Sequence, residues 1–465
     1  MKKRILFLST LLLAIFACSD DDNNGGSTNS VSFSVPSINL TENTTNIVIS
    51  FSNPTSTAGT ITLSLNETSA QYGEDYTTNP ESSSNELQIT FSAGVTETSF
   101  EFNKLIPAFE GEIKNVIFTI SEVSNNYQVY GNSSVQLNFN ETALTGSSLE
   151  PEVGGPNQVN QVYIDLSSGA MSTVPRVSWD LGFYAGNDFR VMLNNSVKMS
   201  AKSLSSTDMA IIASEDSSMI IAQGAGSVNQ IDDPTGIITG TTIAEISAND
   251  NDNYVYLINL GSGPSETTPA LGSVAADGGP HRGWKKVRIL RNGNGYKLQY
   301  ANIDSTTFNE VSIEKNSAYN FTFFSFTSES TVNVEPEKDK WDINFTTFTN
   351  VVNFGTPVPY FYPDFVVNNS RGGTLVYGVA TNDFSYDSFS LSDVDNSKFI
   401  DDQRGIGSSW RATSTGNPPV SQFVLKTDIF YVLKDPAGNL YKIKMTGGAL
   451  ENQERGHPTF IYELL

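Results

Sequence analysis

The stretch WDLGF at residues 179–183 returns as WDINF at residues 341–345. Further along, VRILRNGNGYKL at residues 287–298 returns as FYVLKDPAGNLYKI at residues 430–443. Each of the longer stretches contains two strand-forming runs joined by a tight turn with glycine, which is typical of a β-hairpin. The order of Trp-Asp strand, long insert and hairpin therefore occurs twice, with a period too long for a solenoid of short repeats.

The residues that precede each Trp-Asp stretch also correspond to one another. YIDLSSG at residues 163–169 comes before the first stretch, and NFTFFSF at residues 320–326 comes before the second. A connector rich in Gly, Pro, Ser and Asn separates this region from the chain before it. We therefore predict two related all-β halves, residues 160–317 and residues 318–465.

The chain before the connector has the side-chain period of a β-strand. Apolar and polar residues alternate in TITLSL at 60–65, ELQITF at 86–91 and SVQLNF at 134–139, with turn-forming residues between them. Several short strands at this spacing predict an Ig-like β-sandwich over residues 31–142. The predicted fold class of the whole chain is all-β.

The first residues have the pattern of a secretory signal. Three basic residues precede an apolar run at 5–16, which is shorter than the roughly 20 residues that span a bilayer. IFAC at 15–18 resembles a bacterial lipobox, and Cys18 is the only cysteine in the chain. We predict a signal peptide at 1–17, lipid attachment at Cys18 and an acidic tether at 18–30. The serine and acids after Cys18 resemble the export signal of Bacteroidetes surface lipoproteins, which implies the outer face of the outer membrane.

Composition excludes several classes of function. The formal net charge is -23, from 50 acidic and 27 basic residues, so a nucleic-acid partner is not expected. The chain has two histidines and one cysteine and lacks a Gly-x-Ser-x-Gly elbow, a P-loop and a His-Glu-x-x-His motif. We therefore predict that the protein is not an enzyme.

Within the sandwich, YGEDYT at 72–77 and ITFSAG at 89–94 resemble the Calx-β type of Ig-like domain. The resemblance implies clustered acids that can hold calcium at one end of the sandwich. Glu42 and Asp75 match that pattern, but IPAFE at 106–110 stands where the family has an acid pair. Since calcium needs six to eight oxygen ligands, the sequence favours a spacer over a calcium site.

The C-terminal region resembles the HmuY family of Bacteroidetes haem-binding lipoproteins. The matching pieces are the two Trp-Asp stretches, YKIKMTG at 441–447 and ERGHPTFIYEL at 454–464. The resemblance implies an all-β fold, anchoring at the outer-membrane surface, and capture of haem for a TonB-dependent outer-membrane transporter.

Haem iron takes His, Met, Cys or Tyr as axial ligand, and the resemblance implies a pair of His or Met side chains. The position of the second family histidine falls near Thr413 to Thr415, next to Trp410. His281, before the hairpin of the first half, is the better-placed imidazole, and His457 is interpreted as structural. Met199 and Met209 lie in loop-like polar sequence and are the methionine candidates, although core packing is the commoner role of a methionine.

Other interpretations stay open at this point. The basic segment 281–291 suits either haem propionates or the solvated face of a strand, and the aromatic residues at 360–363 suit either a ligand pocket or a sheet core. The main alternative to haem capture is a non-enzymatic adhesive or structural surface module that binds protein or glycan. A third is a HmuY-like region that binds a different small ligand.

Overall fold

The computed structural model describes residues 29–67, 69–109, 113–139, 141–142, 145–222, 225–415 and 420–465. The predicted signal peptide, Cys18 and the tether up to residue 28 lie outside these ranges. Contacts between residues divide the described chain into a first unit that ends at Glu141 and a second unit of Thr142–Leu465, with Phe109 assigned to the second.

The first unit is built from short strands. They are β1 (Ser30–Phe33), β2 (Ser37–Leu40), β3 (Thr44–Phe51), β4 (Gly59–Asn66), β5 (Tyr76–Asn79), β6 (Glu86–Phe91), β7 (Glu97–Lys104), β8 (Ala108–Phe109), β9 (Asn115–Val123), β10 (Gln128–Val129), β11 (Ser134–Phe139) and β12 (Glu141–Thr142).

Ten of these strands form two five-stranded sheets, in the orders β10-β1-β3-β7-β5 and β2-β11-β9-β4-β6. Burial alternates residue by residue, as in β6, because one face of each sheet packs on the core while the other meets solvent. The core is rich in aromatic side chains, and the rings of Tyr76 and Phe102 stack with centroids 4.9 Å apart. The runs at 60–65, 86–91 and 134–139 are strands, as their period predicts.

The second unit is also almost entirely strands and turns. Its strands are β13 (Gly146–Leu149), β14 (Asn160–Ile164), β15 (Met171–Pro175), β16 (Leu181–Tyr184), β17 (Val191–Leu193), β18 (Ser200–Ser203), β19 (Tyr256–Asn259), β20 (Trp284–Asn292), β21 (Gly295–Ala301), β22 (Asn309–Ile313), β23 (Phe321–Ser325), β24 (Ser330–Val332), β25 (Ile343–Asn353), β26 (Pro357–Asn368), β27 (Leu375–Ala380), β28 (Arg411–Thr415), β29 (Val420–Leu425), β30 (Ile429–Lys434), β31 (Leu440–Ala449) and β32 (Arg455–Leu464).

The helices of the described residues are single 3-10 turns. They lie at Gly155–Asn157, Arg176–Ser178, Asn195–Val197, Ser217–Met219, Val228–Gln230, Ile238–Gly240, Asp250–Asp252, Leu391–Asp393 and Asn396–Lys398. Several begin with a side chain that accepts a hydrogen bond from the second residue on, as Asp216 does from Ser218 N.

Both predicted hairpins are present. β20 pairs with β21, and β30 pairs with β31, each around a turn that contains glycine at positive φ. They lie in two separate five-stranded sheets, β18-β19-β20-β21-β22 and β13-β32-β31-β30-β27. The all-β fold class and the repeated hairpin are therefore confirmed.

Two four-stranded sheets connect the repeats, in the orders β15-β14-β25-β26 and β17-β16-β23-β24. The lead-in strand β14 of the first repeat pairs with β25, which follows Trp341-Asp342 of the second. Conversely, the lead-in strand β23 of the second repeat pairs with β16, which follows Trp179-Asp180 of the first. The repeats thus exchange their lead-in strands, so neither repeat completes these sheets by itself.

Candidate functional site

The two Trp-Asp motifs fasten the exchanged strands. Asp180 Oδ2 accepts a hydrogen bond from Phe326 N at 2.7 Å, just after β23. In the equivalent place, Asp342 Oδ2 accepts from Leu166 N at 2.9 Å, just after β14. Both carboxyl groups are buried, so each satisfies a backbone donor that would otherwise lose its hydrogen bond in the interior. This pairing explains why aspartate follows tryptophan in both copies.

A pair of asparagines completes the motif. Asn194 Nδ2 donates to the carbonyls of Arg176 and Trp179, both at 2.8 Å. Asn369 Nδ2 donates to the carbonyls of Lys338 and Trp341, again at 2.8 Å. Sequence reasoning missed these asparagines because they stand at different distances from their tryptophans, and only the strand pairing brings them to equivalent positions.

The two aspartates differ in their charge partners. Asp180 Oδ1 lies 2.8 Å from Arg282 Nη2, whereas no salt bridge to Asp342 occurs in the described ranges. Burial raises the pKa of Asp180, and Arg282 opposes that rise. Burial raises the pKa of Asp342 well above its ordinary value, with Asp165 and Asp435 adding to the rise. Burial and the neighbouring acids therefore both favour the protonated form of Asp342 over the charged form.

One cavity, which we name the arginine–tyrosine cavity, lies between β26, β28 and the loop before His281. Its volume is about 400 Å³, within the range of small-molecule sites. Its lining residues are Lys198, Ile221, Ala222, Ser273, Val274, Ala276, Asp277, Tyr360, Phe361, Tyr362, Pro363, Arg411, Thr413, Ser421 and Arg455. All of them belong to the second unit, and both repeats contribute.

The cationic side of this cavity is organised by Asp364. Its Oδ2 atom contacts Arg455 Nη2 directly and lies 3.5 Å from Arg411 Nε. Both arginine side chains are at least nine-tenths buried, and burial lowers the pKa of Arg411. The Nε atoms of Arg411 and Arg455 have no hydrogen-bond partner among the described residues. Lys198, the third cation, is paired with Asp277 at 3.0 Å.

Aromatic rings of β26 form another part of the cavity wall. The rings of Tyr360 and Tyr362 lie 4.8 Å apart, and Lys198 Nζ lies 5.7 Å from the centroid of Phe361. Burial raises the pKa of Tyr362, and Arg411 opposes that rise. Flat apolar surface beside guanidinium groups suits a planar ligand that carries carboxylates. The phenol oxygens are the side-chain atoms of this wall that can ligate iron.

The residues expected to ligate haem lie elsewhere. Met199 is fully buried in the apolar core that includes Leu181 and Ile258, and Met209 is buried against Val255. Neither methionine lines the arginine–tyrosine cavity.

His281 is exposed, and both of its ring nitrogens have partners. Nε2 lies 2.8 Å from Asn259 Oδ1, and Nδ1 accepts from Gly283 N at 3.2 Å. The ring also lies against Trp284, with centroids 5.7 Å apart. Iron ligation by His281 would require it to give up one of these contacts. The assignment of His281, Met199 and Met209 stays a prediction.

The family position near Thr413 has a more direct connection with the cavity. Thr413 lines the arginine–tyrosine cavity, while Trp410 is buried against Phe423 with ring centroids 5.7 Å apart. His457, interpreted as structural, lies 3.2 Å from Glu454 Oε1.

The basic segment 281–291 is occupied by internal contacts. Lys286 donates to the carbonyls of Ile211 and Ser305, and Arg288 donates to the carbonyl of Asn253 at 2.9 Å. Arg291 donates to the carbonyl of Ile246 at 2.6 Å. These cations hold the long insert between β18 and β19 against the sheet.

In the sandwich, Asp75 is engaged by Lys114, whose Nζ lies 2.9 Å from Oδ1. Although burial alone raises the pKa of Asp75, the hydrogen bonds from Lys114 and Gln71 N bring it below its ordinary value. Glu42 is exposed. Over the described ranges, no group of three or more His, Cys, Asp or Glu side chains is arranged to hold a metal ion.

The fold is thus an all-β architecture whose larger unit is built from two repeats and contains the arginine–tyrosine cavity. The pattern of the family described as HmuY protein matches residues 157–313 and 317–462. These segments make up more than half of the chain, which therefore belongs to the HmuY family. No curated protein matches the chain.

Solved structures resemble parts of the chain. The apo form of the Calx CBD1 domain is 12% identical, with 24% of this chain and 96% of that chain covered and a TM-score of 0.20. A two-domain protein of unknown function from Bacteroides fragilis NCTC 9343 is 11% identical, with 39% and 73% covered and a TM-score of 0.20.

None of the helices in the described ranges has the length and apolar character of a membrane-spanning segment.

Proposed function

We propose that this protein is a cell-surface lipoprotein that captures haem, and that the arginine–tyrosine cavity is the capture site. Membership of the HmuY family supports the ligand class. The observation that carries the choice of site is the meeting of Tyr360 and Tyr362 with two buried arginines in one cavity.

The cavity can recognise both chemical parts of haem. The aromatic rings offer apolar faces to the porphyrin plane, and the guanidinium groups of Arg411 and Arg455 offer positive charge to its carboxylates. Three cationic side chains lie at this cavity with two acidic ones: Lys198, Arg411 and Arg455 against Asp277 and Asp364. The cavity therefore has a net positive charge, although the net charge of the chain is -23. A positive site on an acidic protein concentrates anionic ligands locally.

Iron coordination is assigned to a phenol oxygen of Tyr360 or Tyr362. Tyrosine is an established ligand class for haem iron, and binding displaces the phenol proton. His281, Met199 and Met209 are the competing ligands, and each would have to leave a buried or hydrogen-bonded position.

The same proposal extends to the envelope. Lipid on Cys18 would hold the protein at the outer face of the outer membrane, with the sandwich at 31–142 acting as a spacer. The ligand would then pass to a TonB-dependent transporter. No catalytic step is involved.

Spectral titration with haemin tests the site. A Soret shift that saturates is expected, and the double variant Tyr360→Phe with Tyr362→Phe should lose the tyrosinate-type spectrum while retaining the fold. His281→Ala and Met199→Leu are the matched controls and should bind as the parent does. If either control abolishes the shift and the tyrosine variant does not, the site is wrong.

The arginines can be tested from the ligand side, which leaves the protein intact. Haemin dimethyl ester lacks the carboxylates and should bind about 10- to 100-fold more weakly, as expected for loss of one or two charge-assisted hydrogen bonds. Equal binding of acid and ester would exclude the arginines from recognition. If no tetrapyrrole binds, haem capture is overturned and the predicted adhesive role becomes the one to examine.

A further inference from the structure

A second cavity, which we name the inter-repeat cavity, lies where the exchanged strands meet. Its volume is about 110 Å³, it is partly open to solvent, and it is lined by both tryptophans of the Trp-Asp motifs. The rings of Tyr163 and Trp341 meet edge to face with centroids 5.0 Å apart, and those of Trp179 and Phe323 do so at 4.7 Å. Each aromatic pair joins the lead-in strand of one repeat to the Trp-Asp motif of the other.

Buried polar atoms on the lining residues lack a hydrogen-bond partner within the described part of the chain: Arg371 Nε is one, and three others lie on uncharged side chains. These three are Trp341 Nε1, Asn195 Oδ1 and Asn344 Oδ1, on side chains that are 7%, 9% and 5% exposed. An unpaired buried polar atom costs about 1–3 kcal/mol, so three in one cavity constitute an unusual concentration. The equivalent Trp179 Nε1 is satisfied, because it donates to Gln161 Oε1 at 2.8 Å.

The charges around this cavity disfavour an anion. Asp232 and Glu335 are buried in its wall, and burial raises the pKa of Asp232 to about 6 and that of Glu335 to about 8, so at neutral pH the buried negative charge is that of Asp232 and not of Glu335. Both oxygens of Asp232 already accept backbone hydrogen bonds, from Leu193 and Thr242. The cation at the wall, Arg371, is held by Asp401 through two contacts of 2.6 and 2.7 Å.

The free atoms therefore require a ligand that both donates and accepts. An ammonium group has donors only and would leave Trp341 Nε1 unsatisfied, whereas a carboxylate has acceptors only and would leave both asparagine oxygens unsatisfied. A hydroxyl group supplies both functions. Two or more adjacent hydroxyls on an apolar carbon skeleton match the polar atoms and the aromatic wall together.

We propose that the inter-repeat cavity is a second binding site, for the vicinal hydroxyls of a small neutral polyol or of one sugar residue. Its volume is somewhat below the roughly 150 Å³ of a cavity that accommodates benzene, which suits a polyol of about three or four carbons or the edge of a sugar ring. Haem is too large and carries the wrong charge for it. The site is independent of haem capture.

Indole resonances provide a direct test on the intact protein. The chain has four tryptophans, so an ¹H–¹⁵N spectrum contains four indole signals, and single Trp→Phe variants assign them. Titration with glycerol, erythritol or a methyl glycoside should shift the Trp341 indole signal to saturation. A response to the free polyols alone identifies a small solute, and a response to the glycoside identifies a sugar residue.

Trp341→Phe keeps an aromatic ring and removes the unpaired N–H with the rest of the indole, so it should weaken binding about tenfold, at some cost in packing, with the Trp179 indole signal as the reporter. Asn344→Leu should weaken binding similarly. Trp410→Phe is the matched control, since Trp410 Nε1 also lacks a partner among the described residues but the residue does not line this cavity, and it should leave affinity unchanged. The proposal fails if no polyol or glycoside shifts the Trp341 signal, if Trp341→Phe binds as tightly as the parent, or if amines or carboxylates bind in place of hydroxyl compounds.

Discussion

Replacing Asp180 by asparagine should destabilise the second unit far more than the same replacement at Asp342. The two residues occupy equivalent positions and bind equivalent backbone donors. Their other oxygens differ in partner, because Asp180 is paired with Arg282 at 2.8 Å, whereas Asp342 has no cationic partner in the described ranges and accepts from Thr374 Oγ1 at 3.3 Å. The comparison therefore isolates the cost of removing a buried charge partner.

The magnitude follows from burial. The Asp180 side chain is 0% exposed and that of Arg282 is 13% exposed. Removing the carboxylate leaves the guanidinium poorly solvated, which costs about 3 kcal/mol, the lower end of the range for broken buried pairs. Asp342, in contrast, is already favoured in its protonated, neutral form by burial, which raises its pKa. Its amide replacement keeps an oxygen for Leu166 N, so the expected loss is below about 1 kcal/mol.

Tryptophan fluorescence during urea unfolding is the suitable assay. All four tryptophans, Trp179, Trp284, Trp341 and Trp410, belong to the second unit, so the signal reports that unit and not the sandwich. The double variant Asp180→Asn with Arg282→Gln should recover part of the loss, since the unpaired cation is then gone. Equal losses for the two asparagine variants, or a larger loss at Asp342, would refute the reasoning.

Other predictions follow from buried polar groups and from the strand exchange. Burial raises the pKa of Glu335 to about 8, so the folded protein keeps a proton that the unfolded chain releases above about pH 4.5. The free energy of unfolding should therefore fall as the pH rises from about 4.5 to about 8, by up to about 1.4 kcal/mol per pH unit. Urea unfolding of Glu335→Gln should show a flatter dependence on pH. Arg176 is fully buried and donates to the carbonyls of Gln158, Ser196 and Ala276. In the same unfolding assay, Arg176→Lys should lower the free energy of unfolding by roughly 2–4 kcal/mol, because lysine cannot reach all three carbonyls in this geometry. Arg288→Lys is the control at a less buried position. The fragments 157–313 and 317–462, expressed separately, should not fold as monomers, because β14 and β16 then lack their partner strands β25 and β23. Mixing the two fragments should restore the circular dichroism spectrum of the second unit. A single fragment that folds as a monomer would contradict the strand exchange.

Side-chain period was sufficient to predict strands and hairpins. In β6 and β11, every second residue is buried, so alternation in the sequence translates directly into two faces of a sheet. The hairpins β20–β21 and β30–β31 are local, and their turn glycines mark the reversal. These features depend on neighbours in sequence, which is why the sequence alone could predict them.

Strand exchange was beyond such reasoning. The lead-in runs at 163–169 and 320–326 are both apolar and both precede a Trp-Asp motif, so nothing in their pattern chooses between the near and the far partner. Which strand each lead-in run pairs with depends on which Trp-Asp motif supplies the buried carboxyl to Leu166 N or Phe326 N. These hydrogen bonds join residues separated in sequence by about half the length of the second unit.

The site was only partly predictable for a related reason. Tyr360 and Tyr362 were recognised as possible pocket residues, but Arg411 and Arg455 come from distant strands and share no spacing signal. Met199 was expected in an exposed loop because its neighbours are polar. In the structure those neighbours form the start of β18, and the methionine side chain turns into the core.

The comparison of the two repeats bears on how a second site can arise. The hydrogen bonds that hold the exchanged strands need only one carboxyl oxygen of Asp180 or Asp342 and one asparagine amide, and both repeats have them. The first repeat adds Arg282, which lies 2.8 Å from Asp180 Oδ1, and Gln161, which accepts a hydrogen bond from Trp179 Nε1. In the second repeat, Thr374 Oγ1 donates to Asp342 Oδ1 at 3.3 Å, but Trp341 Nε1 has no partner in the described ranges and remains available at the inter-repeat cavity. Because the hydrogen bonds common to both repeats hold the exchanged strands, the N–H of Trp341, which lacks the partner that Trp179 has, can bind a ligand without loss of the fold.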